Sequence, residues 1–216
     1  MRFSDRVDAG RQLAAQLADL SGTPDLVVLG IPRGGVVVGY EVALALKALF
    51  DVAISRKLGA PDNEELAIGA LAEDGSRILD ESIIAQLRVP QEYIDRVTEQ
   101  QQREIARRAP VYRGERKAVE TRERTVVVVD DGVATGATMI VTLHALRGQG
   151  ARTLIAAAPV IAGESIGRLS AVADRVVCVH APHFFASVGG FYDRFDQVSE
   201  QEVRELLADL AEMRPD

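Results

Sequence analysis

Residues 125–129, Thr-Val-Val-Val-Val, constrain the fold more than any other stretch of the chain. A run of β-branched apolar side chains leaves neither face of a strand fit for water, the pattern of a strand covered by helices on both sides of a parallel sheet. Neighbouring segments extend the scheme. Residues 5–20 set Val7, Leu13, Leu17 and Leu20 near one face of a helix, 25–30 reads as a buried strand, 34–50 as an apolar helix and 51–56 as the next strand. Residues 66–72 give a further strand, and 90–109 a polar helix that begins on proline, as first turns often do, with Ile94, Val97 and Ile105 inward. Beyond the valines come a helix at 136–147, a strand at 153–160, a helix at 164–173, a strand at 175–180 and a helix at 198–213. Alternation of this kind predicts an α/β fold with a doubly wound, mainly parallel sheet flanked by helices. With no internal repeat and no long Pro/Gly/Ser linker, 1–216 is expected to be a single domain, and 47% hydrophobic residues supply one sizeable core.

Sheets of this type bind ligands beyond the carboxyl ends of their strands, so the chemistry is expected just after the apolar runs. After the valines come Asp130, Asp131, Gly132, Val133, Ala134, Thr135, Gly136, Ala137 and Thr138, then a helix. Amides at a helix start point outward unsatisfied, and small residues with two threonine hydroxyls let a phosphate approach closely. Two adjacent carboxylates beside that loop cannot bind the phosphate as well. They can accept hydrogen bonds from vicinal hydroxyls and orient the waters of a magnesium ion, so pair and loop together describe a ribose phosphate. The plainer alternative is a helix capped by Thr135 with two acids solvated at a strand end. A second turn, Gly30, Ile31, Pro32, Arg33, Gly34, Gly35, also leads into a helix. Its glycines open backbone conformations closed to other residues and Arg33 can pair with phosphate oxygens, although a glycine-rich turn with a solvated arginine reads the same way. GKS and GKT are absent, which excludes a Walker loop, and no GxGxxG occurs.

The segment 126–139, VVVVDDGVATGATM, resembles the 5-phosphoribosyl-1-pyrophosphate (PRPP) signature of type I phosphoribosyltransferases: four hydrophobics, two acids and a TGxT loop of small residues. It is most similar to the adenine enzymes, which also have alanine at the position of Ala134. Hypoxanthine-guanine enzymes place an aspartate base there, so the resemblance implies an acid–base group elsewhere in this chain. It further implies a type I fold with a small hood, Mg2+ as cofactor, and transfer of phosphoribose to a nitrogenous, nucleobase-like acceptor with release of pyrophosphate. Asp130 and Asp131 would be catalytic, holding the ribose hydroxyls and the metal, while Gly132, Ala134, Thr135, Gly136, Ala137 and Thr138 take the 5′-phosphate. Arg33, Gly34 and Gly35 would form the pyrophosphate loop. Arg56 and Lys57, read as ending the second core strand, would neutralise the pyrophosphate. Glu73 matches a glutamate that lies near the base in the adenine enzymes and is carried over as a candidate general acid; an ordinary solvated hairpin acid is its other reading. The opening FSDRVDAGRQLA and the ending PHFFASVGGFYDRF look like those of a bacterial group of predicted phosphoribosyltransferases with no assigned acceptor. A noncatalytic PRPP or nucleotide sensor on the same fold is the alternative, and an enzyme hydrolysing or rearranging a phosphosugar is another.

With 25 basic and 32 acidic residues the net charge is −7, the wrong sign for a protein living on nucleic-acid backbones, so anion binding needs a local positive pocket. Charges in the opening MRFSDRVDAG and interrupted apolar runs argue against a signal peptide and a membrane span, hence an expected cytoplasmic protein. A single cysteine, Cys178, agrees with that. Residues 73–124 are rich in Arg, Glu and Gln. A mobile loop closing over the site, as the resemblance implies, and a solvated helix with a linker account for this equally. Phe184, Phe185, Phe191, Tyr192 and Phe195 suit stacking on a base, packing a helix onto the sheet, or a dimer contact, and a homodimer is expected. Cys178, His180 and His183 lack a fourth ligand and a standard zinc spacing.

Overall fold

The structure, a computed structural model, describes residues 1–61 and 63–212. In chain order its elements are α1 (Arg6–Gln16), β1 (Leu26–Gly30), α2 (Gly34–Leu46), β2 (Leu49–Val52), β3 (Ser55–Ala60), β4 (Asn63–Ala72), β5 (Arg77–Leu79), α3 (Glu81–Leu87), α4 (Gln91–Arg113), β6 (Thr125–Val129), α5 (Ala137–Gly148), β7 (Thr153–Val160), α6 (Gly163–Ser170), β8 (Arg175–His180) and α7 (Glu200–Glu212). Five of the strands form a parallel sheet in the order β2-β1-β6-β7-β8. The valines of β6 explain why it is central. Val126 and Val128 pack with Met139 and Leu143 of α5 and Leu169 of α6, whereas Val127 and Val129 pack with Leu13 of α1 and Val38 and Val42 of α2. All four are fully buried, each stabilising the fold by roughly 1.5–3 kcal/mol relative to an exposed valine.

From β1 the chain crosses through α2 to β2 on one side, and from β6 through α5 to β7 on the other. The carboxyl ends of β1 and β6 therefore lie side by side where the winding reverses, with Gly30 opposite Val129. A crevice at such a switch point is where open α/β sheets bind ligands.

The predicted 34–50 helix stops short. Lys47 adopts a left-handed C-cap (φ 54°), and Leu49 and Phe50 pair with Val27 and Val28 as part of β2. The predicted 51–56 strand breaks in two. Asp51 turns its carboxylate back to the amide of Val52 (2.7 Å), and Arg113 takes the Val52 carbonyl (3.0 Å), which ends the parallel ladder. Ser55–Ala60 then starts a separate antiparallel sheet, β3-β4-β5, so residues 66–72 sit in a hairpin and not in the central sheet. With α3 and α4 this sheet encloses its own core of Leu58, Ile68, Leu71, Ile94 and Ile105, and it is the hood of the molecule. Most of 73–124 is thus helix and hairpin. The 90–109 helix runs on through Pro110 to Arg113, since a proline one turn from the end removes a single ladder bond and Arg113 is anchored by its side chain. For the 198–213 helix, α7 begins at Glu200, and Met213 lies outside the described residues.

Candidate active site

The glycine turn and the acidic strand end meet at the switch point. Ile31 donates its amide to the Val129 carbonyl (2.8 Å), and Ala53 donates to Gly30 (2.9 Å), so the turn is stitched between β2 and β6. A Cβ on Gly34 would lie 1.8 Å from Asp131 Oδ2, and one on Gly35 would lie 2.6 Å from the Val129 carbonyl. These glycines are what lets the turn press against the acid pair. Arg33 precedes them as the N-cap residue of α2 and pairs with no carboxylate among the described residues. It lines a hollow of about 340 Å³ with Arg107, Arg108, Tyr112 and Glu200.

After Asp131 the chain is fixed by Val133, whose amide reaches the Val160 carbonyl (2.9 Å), and by Ser165, which donates to the Ala134 carbonyl (2.5 Å). Gly136 takes a positive φ of 77° and caps α5, a conformation costly for any side chain. The amides of Thr135, Gly136, Thr138 and Met139 meet no acceptor among the described residues, and the side chains of Thr135 and Thr138 are exposed. Four unspent donors, two hydroxyls and the positive end of a three-turn helix make a cradle for a phosphate dianion.

Beside this cradle the carboxylates are crowded. Desolvation first, and then the charge of Asp131, hold the Asp130 carboxyl well above the usual carboxylate range. Asp131 Oδ2 accepts from Arg6 Nε at 2.8 Å. Arg6 itself lies 3.8 Å from the Phe195 ring centre and donates to the Asp196 carbonyl (2.8 Å). Tyr192 donates its hydroxyl to the Asp131 carbonyl (2.5 Å), and burial pushes its phenol pKa up. The N-terminal Phe3 completes the clasp, bonded through its amide to the Phe191 carbonyl (2.8 Å) and packed on Tyr192. Tyr192 and Phe195 therefore hold the acid pair, Phe185 and Phe191 pack on one another, and Phe184 is exposed. Sequence reasoning missed Arg6. An arginine in a first helical turn carries no mark of its own, and only the packing of the α1 start and the 192–196 segment beside the end of β6 brings it to Asp131.

Arg56, Lys57 and Glu73 are placed differently from expectation. Arg56 and Lys57 lie in β3, inside the hood sheet and not at the end of a core strand. Arg56 donates to Glu104 (2.8 Å), whose carboxyl is held at about 2, chiefly by its bond to Arg107. Both cations line a hollow of about 450 Å³ together with Tyr93, Arg96, Gln100 and Gln101. The Glu73 carboxylate accepts from Arg113, which is buried and bonded through Nε to both oxygens of buried Asp51 (2.7 and 2.8 Å). These three side chains line a cavity of about 160 Å³ that none of residues 130–138 lines. The structure thus brings Gly34 and Gly35 against the acid pair, sets the Arg33 side chain in a hollow that none of residues 130–138 lines, and leaves Glu73 as the counter-ion of a buried strut. Among the described residues no group of three His, Cys, Asp or Glu side chains could hold a metal by itself, and no helix is long and apolar enough to cross a membrane.

Residues 4–195 match the family model of the phosphoribosyl transferase domain. Two curated relatives from Mycobacterium tuberculosis, strains CDC 1551 and H37Rv, are both named as candidate phosphoribosyl transferases. Each is 44% identical over 205 residues, 95% of this chain and 46% of the relative. The chain spans about half the length of the curated relatives it matches. Among solved structures, the TT1426 protein from Thermus thermophilus is 42% identical, with a TM-score of 0.90 covering 97% of this chain and 99% of that one. The AQ2163 protein from Aquifex aeolicus, at 13% identity and a TM-score of 0.51 over 94% and 84% of the two chains, shares the fold.

Proposed function

The chain belongs to the phosphoribosyl transferase domain family, and on that premise we propose that it transfers phosphoribose from PRPP to a nitrogenous acceptor, releasing pyrophosphate. The observation that carries this reading is the juxtaposition at the switch point: Gly34 pressed on Asp131, with the unspent amides of the α5 start alongside. In the reaction the C1–oxygen bond to pyrophosphate breaks and a C1–nitrogen bond forms, the acceptor's proton passing to the pyrophosphate oxygens or to water. The amides of Thr135, Gly136, Thr138 and Met139, with the Thr135 and Thr138 hydroxyls, hold the 5′-phosphate and fix the sugar. Asp131 keeps one oxygen clear of Arg6 for a ribose hydroxyl, and Asp130 accepts from the neighbouring one. Arg33 and the glycine turn hold the leaving pyrophosphate, and these preorganised donors supply most of the transition-state stabilisation.

The acid pair also fits Mg2+. Two carboxylates crowded at a half-buried strand end would favour a divalent cation, and the pair would suit one that keeps most of its waters. Asp130 and Asp131 would hold the ion, which would supply positive charge against the departing pyrophosphate. A second reading, a PRPP or nucleotide sensor, is favoured by one observation: the Glu73 carboxylate is committed to Arg113 and not presented to the acceptor. Pyrophosphate release from PRPP, measured across purines, pyrimidines and pyridine carboxylates, separates the two. Release with at least one acceptor is expected; measurable PRPP binding without release from any would sink the transferase in favour of the sensor.

A further inference from the structure

The polar face of α4 is not used by the reaction as derived above. Arg96, Gln100, Arg103 and Arg107 recur at intervals of four, three and four residues, which puts them on one helical stripe. Ile94 and Ile105 occupy the other side, sealed into the hood core. The stripe borders three neighbouring hollows. Arg107 lines both the hollow beneath Arg33 and the next one, of about 680 Å³, which also has Arg56, Arg96 and Arg103 in its wall. Arg56, Arg96, Gln100 and Gln101 then line the roughly 450 Å³ hollow against β3 as well. The two outer hollows, which share four wall residues, make a groove between β3 and α4, and Arg107 stands between it and the hollow of Arg33.

Its charge runs against that of the chain. In a protein of net charge −7 the described walls of the two outer hollows carry Arg56, Lys57, Arg96, Arg103 and Arg107 against Glu64, Glu99 and Glu104. Glu99 is already paired with Arg103, and Glu104 with Arg56 and Arg107. Arg96 has no carboxylate partner among the described residues, and its guanidinium lies 5.1 Å from the centre of the Tyr93 ring. Gln100 and Gln101 add amide donors with no partner among the described residues. A guanidinium stacked over an aromatic ring and flanked by amide donors is matched by an anionic group, while a neutral base would leave its charge unanswered. Since the glycine turn and the α5 cradle already account for the phosphates of PRPP, an anion further along the groove belongs to the other substrate.

Resting on the transferase reading, we propose that the β3–α4 groove recognises the acceptor, and that this acceptor carries a carboxylate or phosphate group bound by Arg96 with Gln100 and Gln101. Arg96 is exposed on α4 and alanine is a strong helix former, so Arg96→Ala leaves the fold intact. The test is calorimetric binding to the full chain with Mg2+ present, first of PRPP and then, at saturating PRPP, of adenine, uracil, orotate, pyridine-2,3-dicarboxylate and a nucleobase analogue bearing a phosphate. Acidic ligands are expected to bind where the neutral bases do not, and Arg96→Ala to weaken them about tenfold, the size of one charge-assisted contact at a wet site, with PRPP affinity unchanged. Arg96→Lys should recover part of the loss. The carboxylates and the phosphorylated analogue separate the two kinds of anion. Neutral bases binding equally well in both proteins, no ligand binding, or an equal loss for PRPP would each overturn the groove assignment and leave the transferase reading standing. Failure of wild type to bind PRPP is the distinct result that would remove that reading itself, and with it this one.

Discussion

A carboxyl whose folded pKa lies above its unfolded value stabilises the fold in acid and weakens it once the pH passes the ordinary carboxylate range. Asp130 is such a group, raised by desolvation and by Asp131. Its contribution is fully present below the unfolded pKa and is lost as the pH rises through the folded one. Asp130→Asn is accordingly expected to melt higher than wild type at pH 7 in metal-free buffer, with the gain shrinking toward about pH 4. Thermal melts over a pH series measure this, and a gain independent of pH would rule out titration of Asp130 as its source. Added Mg2+ should raise the melting temperature of wild type and not that of the Asp130→Asn, Asp131→Asn double variant. The double variant is expected to lose pyrophosphate release while keeping a native circular dichroism spectrum; undiminished turnover would refute the site assignment. Stability given up at a strand end in this way is a common mark of a functional position.

Among the elements, the join between β2, the β4–β5 turn and the end of α4 rests on Arg113, which meets Asp51, Glu73 and the Val52 carbonyl with almost no exposure. Removing one partner of a buried charge network leaves the others uncompensated. Arg113→Leu is therefore expected to cost about 3–5 kcal/mol, read from denaturant unfolding. Glu73 distinguishes two roles. As a strut it gives a Glu73→Gln variant with a lower unfolding midpoint and an unshifted kcat pH profile, whereas a general acid would lose one limb of that profile with little change in the midpoint. The strut is expected. This join is also where sequence reasoning was least able to see. Residues 51–56 read as one strand, and the break at Val52 is made by an arginine 61 residues further along the chain.

At the scale of the whole molecule, hydrophobic clusters lie on both faces of the parallel sheet, and a smaller one fills the hood. The hood core, with fewer buried side chains, should open first. Leu58→Ala is expected to cost about 2–5 kcal/mol locally and to speed amide exchange in β3, β4 and α4 while β6 and β7 stay protected; uniform loss of protection would mean that the molecule unfolds as one unit. The same division marks what was legible in the chain. Thr125–Val129, a buried strand by its side chains alone, is placed as expected, and so is the acidic turn into α5, because period, β-branching and helix-start chemistry are local properties. Sequence by itself settled the α/β class, the central strand and the run of two acids through a turn of small residues into a helix. Tertiary structure alone decided that Asp131 is held by Arg6 of α1 and by Tyr192 from the segment after β8, that Glu73 faces Arg113, and that Arg56 and Lys57 join α4 in a basic groove. Those are contacts between residues far apart in the chain, set by which elements the sheet order brings side by side, and no local pattern of side chains records them.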